Sequence, residues 1–201
     1  QLAEYASSRN VNALEAFKAA NSQPYSHLHR PSIGVGGHCI PVYPHFLLTD
    51  AADGELSLVR DGRRTNDLMA SHGIGELQRE LGDLRSIRVL VLGASYREDV
   101  KELAFSTALP IVDLLHRAGA EVMIADPLFT TEELVNLEAE VVDLDSERAQ
   151  TAEAVIVQAW HANFTDLDWR PVKHLRTVLD GRSAVDAPRV RDAAASHHAA
   201  P

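Results

Sequence analysis

Apolar residues recur at helical spacing through the first part of the chain, then switch to short unbroken runs from Ile87 onward. Leu2, Ala3 and Ala6 continue a helical pattern over residues 2–9, and Asn10 breaks it. Asn12 is placed to cap a second helix, whose Ala13, Leu14, Phe17 and Ala20 make a stripe expected to pack in the core. Residues 21–33 hold Asn21, Pro24, Pro31 and three serines and read as a loop. Phe46, Leu47 and Leu48 resume an apolar segment, expected to be a helix against the core. Residues 50–56 read as a polar loop, and 67–81 as a helix leading into the next unit.

The second rhythm alternates strand and helix. Ile87–Leu92 is a buried strand ending at Gly93, and 106–118 is a helix with Leu109, Val112 and Leu115 on one face and Gly119 as its stop. Residues 121–126 predict a strand, 130–137 a helix capped by Thr130 or Thr131, 140–142 a strand, 146–151 a helix and 154–159 a long strand. Residues 171–178 read as helical, and 183–185 as the strand that closes the sheet. Such alternation implies the α/β class, with a parallel doubly wound sheet behind a helical segment.

Composition leaves this picture in place. At 201 residues, 45% hydrophobic and 24% charged, the chain suits one large or two small domains. The division read here is 1–82 for the helical segment, 83–192 for the sheet domain and 193–201 for a disordered tail, where His197 and His198 are solvated rather than metal-binding. The formal charge of −10 argues against nucleic-acid partners, which need cationic side chains at phosphates. No stretch of 18 apolar residues and no signal peptide is found, so no membrane partner is expected. One cysteine cannot form an internal disulfide, which makes the cytoplasm the default location. The chain begins at Gln1, inside a helical pattern, and reads as a fragment.

Candidate chemistry centres on Gly34-Val35-Gly36-Gly37-His38-Cys39-Ile40-Pro41-Val42. Glycines let the backbone turn sharply and approach a ligand, and successive N–H groups in such a turn can face an anion. A thiol there could ionise readily and act as a nucleophile; the plainer reading is a structural cysteine in a glycine-rich turn. A Cys39–His38 or Cys39–His45 hydrolase pair is disfavoured, because adjacent side chains in a turn rarely face each other. The ten histidines show no zinc-ligand spacing, so no metal is expected, and neither a G-x-S-x-G elbow nor a Walker loop occurs. Gly93-Ala94-Ser95-Tyr96-Arg97 lacks the G-x-G-x-x-G of a dinucleotide site. Asp126 ends a strand where a ribose-binding acid often sits, but Asp-Pro is equally a strand-to-turn break. Arg63 or Arg64 could meet a phosphate, although solvated surface arginine is the better reading.

The cysteine segment resembles the Gly-Gly-X-Cys turn of the UDP-glucose/GDP-mannose dehydrogenase family, in the form with His before Cys and Ile-Pro-Val after it. That form is similar to the branch oxidising UDP-N-acetylmannosamine or UDP-N-acetylglucosamine at C6. Residues 93–107 line up with the family's Gly-Leu-Ala-Phe-Lys-x-x-Thr-x-Asp-x-Arg-x-Ser-Pro, through Gly93, Tyr96, Arg97 and Ser106. Asp126-Pro127, Ala154–Val157 with Trp160-His161, and Asp180-Gly181-Arg182 extend the resemblance to roughly residues 1–190. Arg63, Arg64 and Asn66-Asp67 resemble the family's Ala-Arg-x-x-Asn-Asp stretch.

The resemblance implies that Cys39 is the nucleophile, holding the sugar aldehyde as a thiohemiacetal and then as a thioester. It implies a UDP-sugar held by Gly36, Gly37, His38, Tyr96 and Arg97, with Arg97 also on the cofactor side. It implies NAD, bound mainly by a domain outside this chain, a homodimer through the helical segment, and a place in polysaccharide precursor synthesis. Departures are visible. Tyr43 replaces a family aspartate four residues past the cysteine, Ala104 replaces an arginine, and Tyr25 stands where an arginine reaches the substrate. A neutral phenol cannot serve as a carboxylate base near pH 7. These departures keep open a module that binds UDP-sugar without catalysis.

Overall fold

Consecutive residues of a strand point to opposite faces, so a run with no polar position needs cover on both. That requirement organises the fold. A computed structural model describes residues 1–198. Strand β1 (Arg88–Leu92) turns Val89 and Val91 to one buried cluster and Leu90 and Leu92 to another. The first cluster takes in α4 (Ser57–Leu81) through Ile74 and Leu77, and α5 (Ala108–Arg117) through Ile111 and Leu115. The second is closed by Ala149, Phe164 and Trp169.

Strands β2 (Glu121–Ala125), β3 (Glu140–Val141), β4 (Ala154–Val157) and β5 (Thr177–Asp180) complete a wholly parallel sheet of order β3-β2-β1-β4-β5. Chain order reverses between β1 and β4, which makes the carboxyl ends of these two strands the natural ligand crevice. The α/β class and the parallel sheet expected from the alternation are therefore present.

Two expected elements are replaced near the end. Residues 171–176 are not helical; β5 begins at Thr177 and pairs Ala154↔Thr177 through Val157↔Asp180. Residues 183–185 form a turn, because the Asp180 carboxylate accepts the Ala184 and Val185 amides at 2.8 Å each and spends them outside any ladder. Residues 193–198, expected as tail, belong to helix α8 (Ala187–His198), and 199–201 lie outside the described residues.

The helical segment also departs from its pattern. Helix α4 begins ten residues before the expected start, its first turns being too polar to show a stripe. The Asn12 side chain caps α2 (Ala13–Ala20) as expected, accepting from Leu14 N at 3.0 Å and Glu15 N at 3.3 Å. The α2 stripe is not core, since no residue of that helix is buried. The same holds for α3 (Tyr43–Thr49), whose Phe46 and Leu47 are exposed rather than packed inward. Helix α1 (Leu2–Ser7) buries only Ala6 and leaves Leu2 and Tyr5 exposed. Two short helices, α6 (Thr131–Leu134) and α7 (Glu147–Gln150), complete the connections; Thr130 closes a capping box with Glu133. No described helix is long and apolar enough to cross a membrane.

Candidate active site

The cysteine turn is suspended between α4 and the sheet. On one side the Asn66 carboxamide grips a single residue, accepting from Val35 N at 2.8 Å and donating to Val35 O at 3.1 Å. On the other, Ile33 N donates to Gly181 O at 2.8 Å and Gly37 N to Ala104 O at 3.1 Å. These bonds tie residues 33–37 to the loop after β1 and to the end of β5.

Gly36 and Gly37 lie so close to the loop after β1 that no side chain fits. A Cβ on Gly36 would stand 2.5 Å from the Phe105 carbonyl oxygen and 2.8 Å from Tyr96 Cβ. One on Gly37, which has φ +91°, would meet the Tyr96 ring at 2.9 Å. Gly36→Ala is therefore expected to push the turn off its seat. Because the obstacle is backbone, the cost should be about 1–3 kcal/mol, read as a lower midpoint in urea.

Beyond this seat the chain turns outward. Cys39 is exposed and opens on a groove of about 860 Å³ lined by Ile40, Tyr43, Pro44, Phe46, Leu47 and Val59. Tyr43 lines the same groove as Cys39. Its hydrogen bond with Cys39, and then the charge of the thiolate, push the phenol above its ordinary value, with a smaller contribution from burial. A phenol shifted upward stays protonated near neutral pH, so Tyr43 is not a base. His38 is exposed, and Tyr25 is 94% exposed on the preceding loop. Arg97 is exposed, its guanidinium 5.8 Å from the centre of the Tyr96 ring.

Four residues that no pattern singled out as site residues hold this arrangement. Asn66 is one. Arg182 is the second: its guanidinium donates to Tyr96 O at 3.0 Å and to Gln158 O, so a largely buried cation sits at the ends of β4 and β5. Burial pushes it below the usual guanidinium range, against a smaller opposing pull from Glu98. The others are Asp99 and His161, which brace the loop after β1. Arg63, read as solvated, is mostly covered, with 11% of its side chain exposed and an ion pair to Asp67 at 2.6 Å.

Asp126 decides between its two readings. One oxygen, Oδ2, accepts from Ala94 N at 2.7 Å, Ser95 N at 3.1 Å, Ser95 Oγ at 3.3 Å and His161 Nε2 at 2.9 Å. The other accepts from Leu128 N at 2.9 Å. Burial alone would raise this carboxyl, but the His161 bond and the Leu128 and Ala94 amides outweigh it and hold it below the usual carboxylate range. His161 Nδ1 accepts the Asp99 amide at 2.9 Å, so the ring is the neutral tautomer with its proton on Nε2. A dinucleotide would set its pyrophosphate against the N–H groups after β1. Here the protein's own Asp126 carboxylate accepts the Ala94 and Ser95 amides. Among the described residues, no group of three or more His, Cys, Asp or Glu is placed to hold a metal.

Comparison with known proteins matches this architecture at both ends. Residues 1–68 match the family model described as UDP-glucose/GDP-mannose dehydrogenase family, central domain, and residues 90–187 match the same family's UDP binding domain. The chain belongs to the UDP-glucose/GDP-mannose dehydrogenase family. A UDP-N-acetyl-D-mannosamine dehydrogenase from Pyrococcus horikoshii is 31% identical over 188 residues, covering 90% of this chain and 42% of that protein. An NDP-N-acetyl-D-galactosaminuronic acid dehydrogenase from Ralstonia nicotianae is 26% identical, with 90% and 42% covered. A solved UDP-D-ManNAc dehydrogenase from Pyrococcus horikoshii superposes with a TM-score of 0.80 at 29% identity, covering 94% of this chain and 44% of that one. The chain thus spans less than half the length of these dehydrogenases.

Proposed function

We propose that this chain is the substrate half of an NAD-dependent nucleotide-sugar 6-dehydrogenase, acting on a UDP-N-acetylhexosamine. The observation that carries the reading is the seating of the cysteine turn: Gly36 and Gly37 press on Tyr96, so Cys39 is delivered from the same support that carries Arg97. Arg97 and Arg182, on either side of Tyr96 along the chain contacts, are suited to the two charges of a diphosphate. The sugar then extends toward the turn, where the Cys39 thiolate adds to the C6 aldehyde carbon and holds it as a thiohemiacetal, later as a thioester that water cleaves to the carboxylate.

Tyr43 shares the groove with Cys39 and keeps its hydroxyl proton. It cannot draw a proton from the attacking water as a carboxylate would. NAD supplies hydride acceptance, and its seat lies outside this sheet. The exposed apolar residues Leu2, Tyr5, Val11 and Leu14 of the helical segment suit a homodimer contact. The division at residue 82, a cytoplasmic setting and a role in polysaccharide precursor synthesis belong to the same proposal.

A second reading, a UDP-sugar-binding module without turnover, is favoured by Tyr43 and Ala104, each of which removes a charged group from the family's pattern. Titration calorimetry tests the shared part. UDP is expected to bind the 201-residue protein, and Arg97→Ala to weaken it roughly tenfold, the effect of one charge-assisted contact. No heat with UDP would sink both readings. Binding without reduction of NAD, when a cofactor-binding domain is supplied, would select the second.

A further inference from the structure

Residues 94–99 form a short arch at the carboxyl ends of β1 and β4, and both its feet stand on one buried pair. At the first foot, the Ala94 and Ser95 amides and the Ser95 hydroxyl converge on Asp126 Oδ2. At the second, Asp99 N donates to His161 Nδ1, while the other ring nitrogen donates to that same Asp126 oxygen. The side chains of His161 and Asp126 are both wholly buried. Asp99 returns a bond of its own, accepting from Ala162 N at 2.9 Å. It does so at φ +55°, a left-handed conformation that a non-glycine residue holds only when its contacts demand it.

Between the feet lie Tyr96, Arg97 and Glu98, the exposed crown of the arch with its half-buried tyrosine. The crown is where the remaining chemistry attaches. The Tyr96 carbonyl receives Arg182, its ring supports Gly37, and Arg97 leans over that ring.

We propose that Asp99 and His161 are positioning residues for nucleotide binding: a latch that holds the 94–99 arch so that Arg97 and Arg182 meet a diphosphate already in place. This rests on the reading that the crevice takes a UDP-sugar. Neither latch residue touches the ligand. Asp99 turns its carboxylate back to Ala162, and His161 is sealed beneath the arch. Their effect runs through order. A loose arch must be frozen when the ligand arrives, and that lost freedom is subtracted from affinity.

The experiment is UDP titration of the 201-residue protein and two variants, followed by amide hydrogen exchange. Asp99→Gly removes the carboxylate and suits the positive φ, so it is expected to fold and melt near the parent while binding UDP about tenfold more weakly. Asp99→Asn keeps an acceptor oxygen for Ala162 and is expected to restore binding to within about twofold of the parent. Exchange should quicken at residues 96–99 and 162 in Asp99→Gly and stay unchanged in the strands. His161→Gln, which keeps a donor toward Asp126 but loses the acceptor for Asp99, should show the same local loosening. Parental affinity in Asp99→Gly overturns the latch. So does Asp99→Asn binding as weakly as the glycine variant, because charge and not bracing would then matter. If the parent binds no UDP, the functional reading falls; unchanged exchange in Asp99→Gly and His161→Gln would separately show that the pair does not brace the arch, and would sink the latch.

Discussion

On the proposed function, Cys39→Ser is expected to lower NAD reduction, assayed with a cofactor-binding domain supplied, roughly a thousandfold or more, with UDP affinity held near the parental value. The physical ground is the difference between sulfur and oxygen. Sulfur is intrinsically the stronger nucleophile, whereas a serine hydroxyl needs a neighbouring base to be a nucleophile at all. The side chain that interacts with Cys39 is Tyr43, whose phenol is shifted above its ordinary value and stays protonated. Binding should survive because Cys39 hangs beyond the Gly36–Gly37 seat and contributes nothing to the Tyr96 support. The measurement is steady-state NADH formation with a UDP-N-acetylhexosamine, beside UDP calorimetry on the same protein. Turnover that survives the serine substitution would remove Cys39 from the chemistry. Loss of both turnover and binding would make the residue structural, as its place in a glycine-rich turn first suggests.

Asp126→Ala is expected to produce the largest loss of stability in the sheet domain. It takes the acceptor from three backbone amides, a hydroxyl and an imidazole at once, and leaves them buried without partners. Breaking a buried polar pair from one side costs about 3–5 kcal/mol, because the remaining partner keeps its desolvation penalty. For a chain of this size that corresponds to a fall in melting midpoint on the order of 10 °C. Asp126→Asn, which retains one acceptor oxygen, should lose less.

The pH dependence gives an independent check. The folded-state value of Asp126 lies below that of the unfolded chain, so its contribution is present above the ordinary aspartate value of about 3.9. It is lost as pH falls through the depressed folded value. The parent should therefore lose stability on acidification below pH 4 more steeply than Asp126→Ala. Parallel acid profiles would mean that Asp126 is not the anion that closes the β1 loop.

Much of the fold was readable along the chain because it depends on local chemistry and on period. The runs Val89–Leu92 and Ala154–Val157 have no polar position, so both faces must be covered, and that alone called for a parallel sheet with helices on each side. Asn12 and Thr130 cap helices as side-chain hydrogen bonding dictates. The start of α4 was hidden because its first turns carry Arg60, Asp61, Arg63 and Arg64 with no apolar stripe to read. The strand at 177–180 was hidden because Thr177 and Val178 become a strand only when β4 offers its ladder. The cysteine turn was visible from its glycines, yet what those glycines make room for was not. Tyr96 lies about sixty residues downstream, and only packing shows that its ring and the Phe105 carbonyl fill the space a Cβ would take.

By itself, then, the sequence determined the class of fold, the place of the lone cysteine in a glycine-rich turn and the lack of a G-x-G-x-x-G loop, since each is written in residue type and spacing. The tertiary structure alone decided that Asp126 is an internal anion rather than a ribose ligand, that Arg63 is covered rather than solvated, and that Asn66, Asp99, His161 and Arg182 brace the site. The reason is one of range. A hydrogen bond between side chains or loops far apart in sequence exists only after the sheet has brought its strand ends together, and no local pattern records it.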